Sequence, residues 1–115
     1  MIVLYGIPNC DTMKKARAWL SKHGIDYGFH DYKKLGIDEK ILRGWVRELG
    51  WQALLNRRGM TWRKLPQEIR DQIDESSAIA LMLENPSIIK RPVLDNGDAR
   101  HVGFTPEQYE QIFNP

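Results

Sequence analysis

The one cysteine of this 115-residue chain, Cys10, stands in "YGIPNCDTMKKARAWL", between an apolar run and a helical pattern. A cysteine at a strand-to-helix turn faces unpaired backbone N–H groups and the positive end of the helix dipole. Both favour the thiolate, which is the nucleophilic form, and such settings lower a cysteine pKa from about 8.5 into roughly the 3.5–7.5 range. The alternative is a packing role, since free cysteines are often buried as small hydrophobes. Pro8 and Asn9 on one side and Asp11 and Thr12 on the other make the segment polar and loop-like, which favours the reactive reading. A lone thiol attacks a disulfide but cannot resolve its own mixed disulfide, so the second thiol must come from outside, as glutathione or a protein partner. His23, His30 and His101 show no metal spacing relative to one another or to Cys10, and no metal site is expected.

The elements that would hold Cys10 read clearly at both ends of the chain. "IVLYG" (2–6), ending at Gly6 and Pro8, predicts a buried strand. Met13, Ala16, Leu20 and His23 recur at helical steps from Asp11, and Gly24 stops the helix. "IDYGFHDY" (25–32) alternates as a second strand. Strand, helix and strand within about thirty residues make a βαβ unit with parallel strands. At the other end, "RPVLDNGDARHVGF" holds two short β runs about Asn96-Gly97, a strong hairpin signal. Thr105-Pro106-Glu107-Gln108 predicts a helix start with a capping box, and Tyr109, Ile112 and Phe113 its buried face.

The middle is purely helical in pattern. Asp38 caps a helix with Ile41, Leu42, Trp45, Val46 and Leu49 on one face, ending at Gly50. Residues 51–59 predict a short helix closed by Gly59, Pro66 opens another in its first turn, and "SSAIALMLENP" supplies one more before Pro86. Trp45, Trp51 and Trp62 read as core residues of this segment, and Arg57 and Arg63 as its solvated side. The fold class is therefore α/β, ordered βαβ, helices, ββα, in a single domain over 1–115 with a core of about 1–35 and 86–115 and a helical insertion of about 36–85.

Composition narrows the partners. The formal net charge is +2, from 17 Lys plus Arg against 15 Asp plus Glu, which is too mild to argue for direct nucleic-acid binding. One cysteine excludes an intrachain disulfide and fits a reducing, cytoplasmic setting. "MIVLYGIPNC" lacks a basic segment followed by a long apolar one, so no signal peptide is expected. No run approaches the roughly 18 apolar residues of a membrane span.

The order βαβ–ββα, with a cysteine after the first strand and a proline opening the third, is the thioredoxin arrangement. With its helical insertion the chain resembles the ArsC/Spx branch over essentially its whole length. "YGIPNCDTMKKARAWL", "LLNRRGMTWRKL" and "NPSIIKRPVL" are most similar to the YffB-type members. The resemblance implies that Cys10 is the nucleophile, that Arg91 steadies the thiolate and an oxyanion, and that Pro92 is a cis-proline facing the cysteine. It matches Arg58 to the family arginine of the helical insertion, and Asn9 and Thr12 flank the cysteine as substrate contacts. It also exposes departures. The third arginine of arsenate reductases falls at about Phe104, with Arg100 nearby but out of register. The histidine before their cysteine is replaced near Gly6, and the second cysteine typical of Spx is Met13. These features imply a monothiol reductase that binds no cofactor and uses glutathione as co-substrate, with glutaredoxin a possible partner. The alternatives are an arsenate reductase and an Spx-like regulator that binds RNA polymerase.

Overall fold

A computed structural model describes residues 1–114, whose contacts divide them into two compact units. One holds Met1–Asp31 and the chain from Arg91 onward, and the other Tyr32–Lys90. The boundaries fall a few residues inside those expected from sequence, because Tyr32 and Ile88 belong with the helices.

The first unit is a mixed four-stranded sheet. Strand β1 (Val3–Gly6) pairs in parallel with β2 (Gly28–Asp31) and antiparallel with β3 (Val93–Asp95), which pairs antiparallel with β4 (Arg100–Val102). The order is β2-β1-β3-β4. Helix α1 (Asp11–Lys22) connects β1 to β2 and buries Met13, Ala16, Trp19 and Leu20. His23 does not share that face. It is exposed, and its ring stacks on Trp19 with centroids 3.8 Å apart.

The second strand is shorter than its alternating pattern. Gly24, at φ 67°, ends α1; its N–H donates to the Ser21 carbonyl, and the N–H of Ile25 donates to that of Leu20 at 3.0 Å. This is the Schellman arrangement. It commits the start of "IDYGFHDY" to the helix end, so the ladder begins at Gly28.

The hairpin between β3 and β4 turns at Asn96, whose Oδ1 accepts from the N–H groups of Asp98 and Ala99, while Gly97 takes φ 93°. The last helix, α8 (Pro106–Phe113), is capped as predicted by the Thr105 hydroxyl, which accepts from the Gln108 N–H at 3.0 Å. The box does not close in the predicted way. The Gln108 side chain instead donates to the Val102 carbonyl at 3.1 Å, tying the helix start to β4. Tyr109 is fully buried with Leu4, Met13, Ala16, Leu20 and Leu94.

The second unit consists of α2 (Tyr32–Leu35), α3 (Glu39–Leu49), α4 (Trp51–Leu54), α5 (Met60–Arg63), α6 (Gln67–Asp71) and α7 (Glu75–Glu84), followed by a 3-10 turn at Pro86–Ile88. Asp38 caps α3 and Gly50 ends it at φ 86°, as the pattern predicts, but Ile41 lies on the exposed side. The helix expected over 51–59 stops at Leu54. Leu55 pairs as an antiparallel bridge with Ile89, the Asn56 N–H donates to the Ile88 carbonyl at 2.8 Å, and the Lys90 N–H donates to the Leu54 carbonyl at 2.7 Å. Gly59 therefore begins α5 rather than closing a helix, and Pro66 precedes α6 rather than lying in its first turn. Leu42, Leu54, Met82 and Ile89 are fully buried in this unit. No helix among the described residues is long and apolar enough to cross a membrane.

Candidate functional site

Cys10 occupies the N-cap of α1 in an extended conformation (φ −131°, ψ 130°). An N-cap residue has its own backbone outside the helix while the first amides of the helix point back toward its side chain. Serine or aspartate would use that position for a capping bond; here the group facing the free N–H donors is sulfur. The chain enters this position from β1 through Pro8 and the exposed Asn9.

The second component arrives through the sheet. β3 runs antiparallel to β1 with Val93 opposite Tyr5, so the residues just before β3 lie beside the end of β1 that leads to Cys10. Those residues are Arg91 and Pro92, joined by a cis peptide bond. Pro92 is buried, and its carbonyl accepts from the Gly103 N–H at 2.8 Å, which anchors the pair to the turn after β4. Arg91 is half-buried, with its guanidinium hydrogen-bonded to the Cys10 sulfur.

Burial raises the Cys10 pKa more than any single other influence. The Met13 N–H, the Arg91 guanidinium and the Thr12 N–H together outweigh it, and the thiol lies below the ordinary cysteine value. Hydrogen bonds donated to the anionic form and a neighbouring cation both favour ionisation. Cys10, Thr12, Arg91 and Pro92 are thus brought together, whereas Asn9 is exposed on the approach to the cysteine.

The departures at Phe104, Arg100, Gly6 and Met13 have structural counterparts. The Phe104 ring meets Tyr109 edge-on, with centroids 4.7 Å apart and planes at 89°, so this position is part of the aromatic core. Arg100 lies on β4, where its Nη1 is 3.8 Å from Oδ1 of Asp95 on the neighbouring strand. Gly6 and Met13 are one feature: a Cβ at Gly6 would collide with Sδ of Met13 and come within 2.7 Å of its Cε. Met13, fully buried, fills the space that a side chain at position 6 would need.

Arg58 belongs to the helical unit. It is exposed on the loop between α4 and α5, with its N–H donating to the Asn56 side chain at 3.1 Å. With Gln52, Leu55, Asn56, Arg57 and Lys90 it lines a depression of about 420 Å³. Arg57 is not simply solvated, as its helical pattern predicts. Its guanidinium lies 5.5 Å from the ring centroid of Trp51 and 5.8 Å from that of Trp62, and Trp51 is half-buried beneath it. Sequence patterns do not single out Gln52, Asn56 or Lys90. Only Lys90 carries a signal that could have found it, as a second cation directly before Arg91 in "IIKRPVL".

Residues 5–112 match the ArsC family profile. The chain belongs to the ArsC family. Among solved structures it is similar to a YffB protein, at 55% identity and a TM-score of 0.93 over 96% of this chain and 97% of that one. It is also similar to an arsenate reductase (ArsC) related protein from Brucella melitensis, at 54% identity and a TM-score of 0.80 over 99% and 95% of the two chains. The global transcriptional regulator Spx of Streptococcus agalactiae serotype V is 31% identical over 110 residues, which cover 94% of this chain and 80% of that protein. The βαβ–ββα unit that carries Cys10 in this ArsC-family chain is thioredoxin-like.

Proposed function

We propose that this ArsC-family chain is a glutathione-dependent monothiol reductase. The observation that carries the reading is the placement of the chain's single thiol at the N-cap of α1, where the Met13 and Thr12 amides and Arg91 lower its pKa. The Cys10 thiolate attacks the glutathionyl sulfur of a mixed disulfide, R–S–S–G. A Cys10–S–S–G bond forms, and R–S⁻ leaves and is protonated. With no second cysteine in the chain, a glutathione thiolate attacks the glutathionyl sulfur of that adduct, releasing oxidised glutathione and restoring the Cys10 thiolate. The substrate disulfide gains two electrons and two glutathione units end as the disulfide. Arg91 holds the sulfur's negative charge, and the backbone beside Pro92 pairs with the extended thiol peptide.

Turnover of a glutathione mixed disulfide, coupled to glutathione reductase, tests the reading. The wild-type chain is expected to turn over and Cys10→Ser to lose the activity; no turnover above the uncatalysed exchange would overturn it.

Likeness to the arsenate reductase related protein supports a second reading, which a coupled arsenate assay with glutathione and glutaredoxin tests. Phe104 in the aromatic core weighs against it, because an apolar ring replaces the third arginine. Likeness to Spx supports a regulatory reading, tested by a pull-down with RNA polymerase. The buried Met13 in place of a second cysteine removes the intrachain thiol switch from that reading.

A further inference from the structure

The helical unit gathers three cationic side chains around one depression. Arg57, Arg58 and Lys90 border one depression, and among the described residues no carboxylate pairs with any of them. The other polar groups lining it are the amides of Gln52 and Asn56, and Leu55 forms its apolar floor. Its shape is fixed by backbone. The Leu55–Ile89 bridge, with the bonds from Asn56 N–H to Ile88 and from Lys90 N–H to Leu54, holds two chain segments side by side, so the Arg58 loop and Lys90 share one rim. The Asn56 side chain braces the loop by accepting the Arg58 N–H.

The cations are not equivalent. Arg57 lies within cation–π distance of both Trp51 and Trp62, which orders its guanidinium against the wall. Arg58 and Lys90 are exposed, and their side chains make no ion pair or hydrogen bond among the described residues. A planar, bidentate donor and a compact ammonium lining one depression, together with two side-chain amides, suit a ligand bearing two carboxylates.

We propose that this depression is a binding site for a dicarboxylate peptide, with Arg58 and Lys90 each holding one carboxylate, and that Lys90 sets the preference for dicarboxylate over monocarboxylate thiols. The proposal rests on the reading that glutathione, a tripeptide with two carboxylates, serves the reaction.

S-methylglutathione is the probe, because a thioether keeps both carboxylates and cannot exchange with Cys10. Titrated into the ¹⁵N-labelled full chain, it is expected to shift the amides of 52–58 and of Lys90 saturably. Lys90→Gln and Arg58→Gln are each expected to weaken binding about tenfold, the effect of removing one charge-assisted contact. Lys90→Arg is expected to retain most of the affinity. Blocking the glycyl carboxylate as its ethyl ester is expected to cost wild type about as much as one of these substitutions. Absence of shifts at 52–58, unchanged affinity in Lys90→Gln, or displacement of the probe by equimolar inorganic phosphate would overturn the proposal. The two readings fail separately. Charge-dependent binding without turnover of the mixed disulfide would leave the site standing and remove the reductase, and turnover with unaltered probe binding in both glutamine variants would do the reverse.

Discussion

The chemistry of Cys10 is decided by a contest between burial and donated hydrogen bonds. Burial raises the thiol pKa, and the Met13 N–H, Arg91 and the Thr12 N–H bring it below the ordinary value. Two of these donors are backbone groups that any sequence with a helix starting at Asp11 would supply. Arg91 is the part a substitution removes. Arg91→Met is expected to move the midpoint of the pH dependence of Cys10 alkylation upward. At a pH well below the midpoint, raising that midpoint by one pH unit cuts the thiolate fraction about tenfold. The rate at neutral pH therefore falls, while the rate at high pH, where both proteins are ionised, stays nearly equal. An unchanged midpoint would assign the whole effect to the helix terminus. Cys10 could be read as reactive from its neighbours alone, because a polar turn between strand and helix fixes its surroundings locally. Arg91 could not: it lies 81 positions along the chain and reaches the sulfur through strand pairing, so only resemblance pointed to it.

At the scale of elements, β1 and α1 are locked together by one small residue and one large one. Met13 occupies the volume beside Gly6, and even a methyl group at position 6 meets its sulfur. Gly6→Ala is expected to cost about 1–3 kcal/mol by overpacking, and Met13→Ala about 2–5 kcal/mol through lost burial and the cavity it leaves. The double variant should cost less than the sum, because the alanine methyl enters space that Met13 vacates. A coupling of about 0.5–3 kcal/mol from urea unfolding of the four proteins would show this, and strict additivity would refute it. The pattern at this scale was legible wherever a cap and a period agreed: α1, α3, α8 and the Asn96-Gly97 hairpin lie where their signals place them. It failed where a distant partner decided the outcome. "WQALLNRRG" has the composition of a helix, yet Leu55 leaves it to pair with Ile89, 34 positions away. Ile25 fits a strand by alternation, yet its N–H is taken by the end of α1. The one-turn helix Tyr32–Leu35 follows β2 without a break, Asp31 being both the last strand residue and the residue before the helix.

For the molecule as a whole, the ionisable groups with displaced pKa values set opposite limits on stability. Asp74, capping α7, has its carboxyl lowered by the Ser77 N–H and hydroxyl, so its contribution is present above the unfolded value of about 3.9 and is lost as pH falls through the folded one. Cys10, also lowered, adds stability as pH rises from its folded pKa toward about 8.5. Tyr109 and Tyr5 act in the other direction. Burial holds both phenols above their ordinary range, with Asp95 adding to the effect at Tyr5. An unfolded tyrosine ionises near 10, so the folded state, which keeps its proton, loses ground as pH climbs past that value. Stability is therefore expected to fall steeply above about pH 10. Tyr109 is the larger cause, being fully buried, and its hydroxyl has no hydrogen-bond partner among the described residues. That hydroxyl also makes Tyr109→Phe a clean test. Removing an unpartnered buried hydroxyl leaves the ring contacts with Trp19, Phe104 and Phe113 intact. At pH 7 the variant is expected to match or exceed wild type in urea unfolding, and between pH 10 and 11 it should lose less stability. Equal alkaline losses in the two proteins would place the sensitive group elsewhere, with Tyr5 the next to substitute.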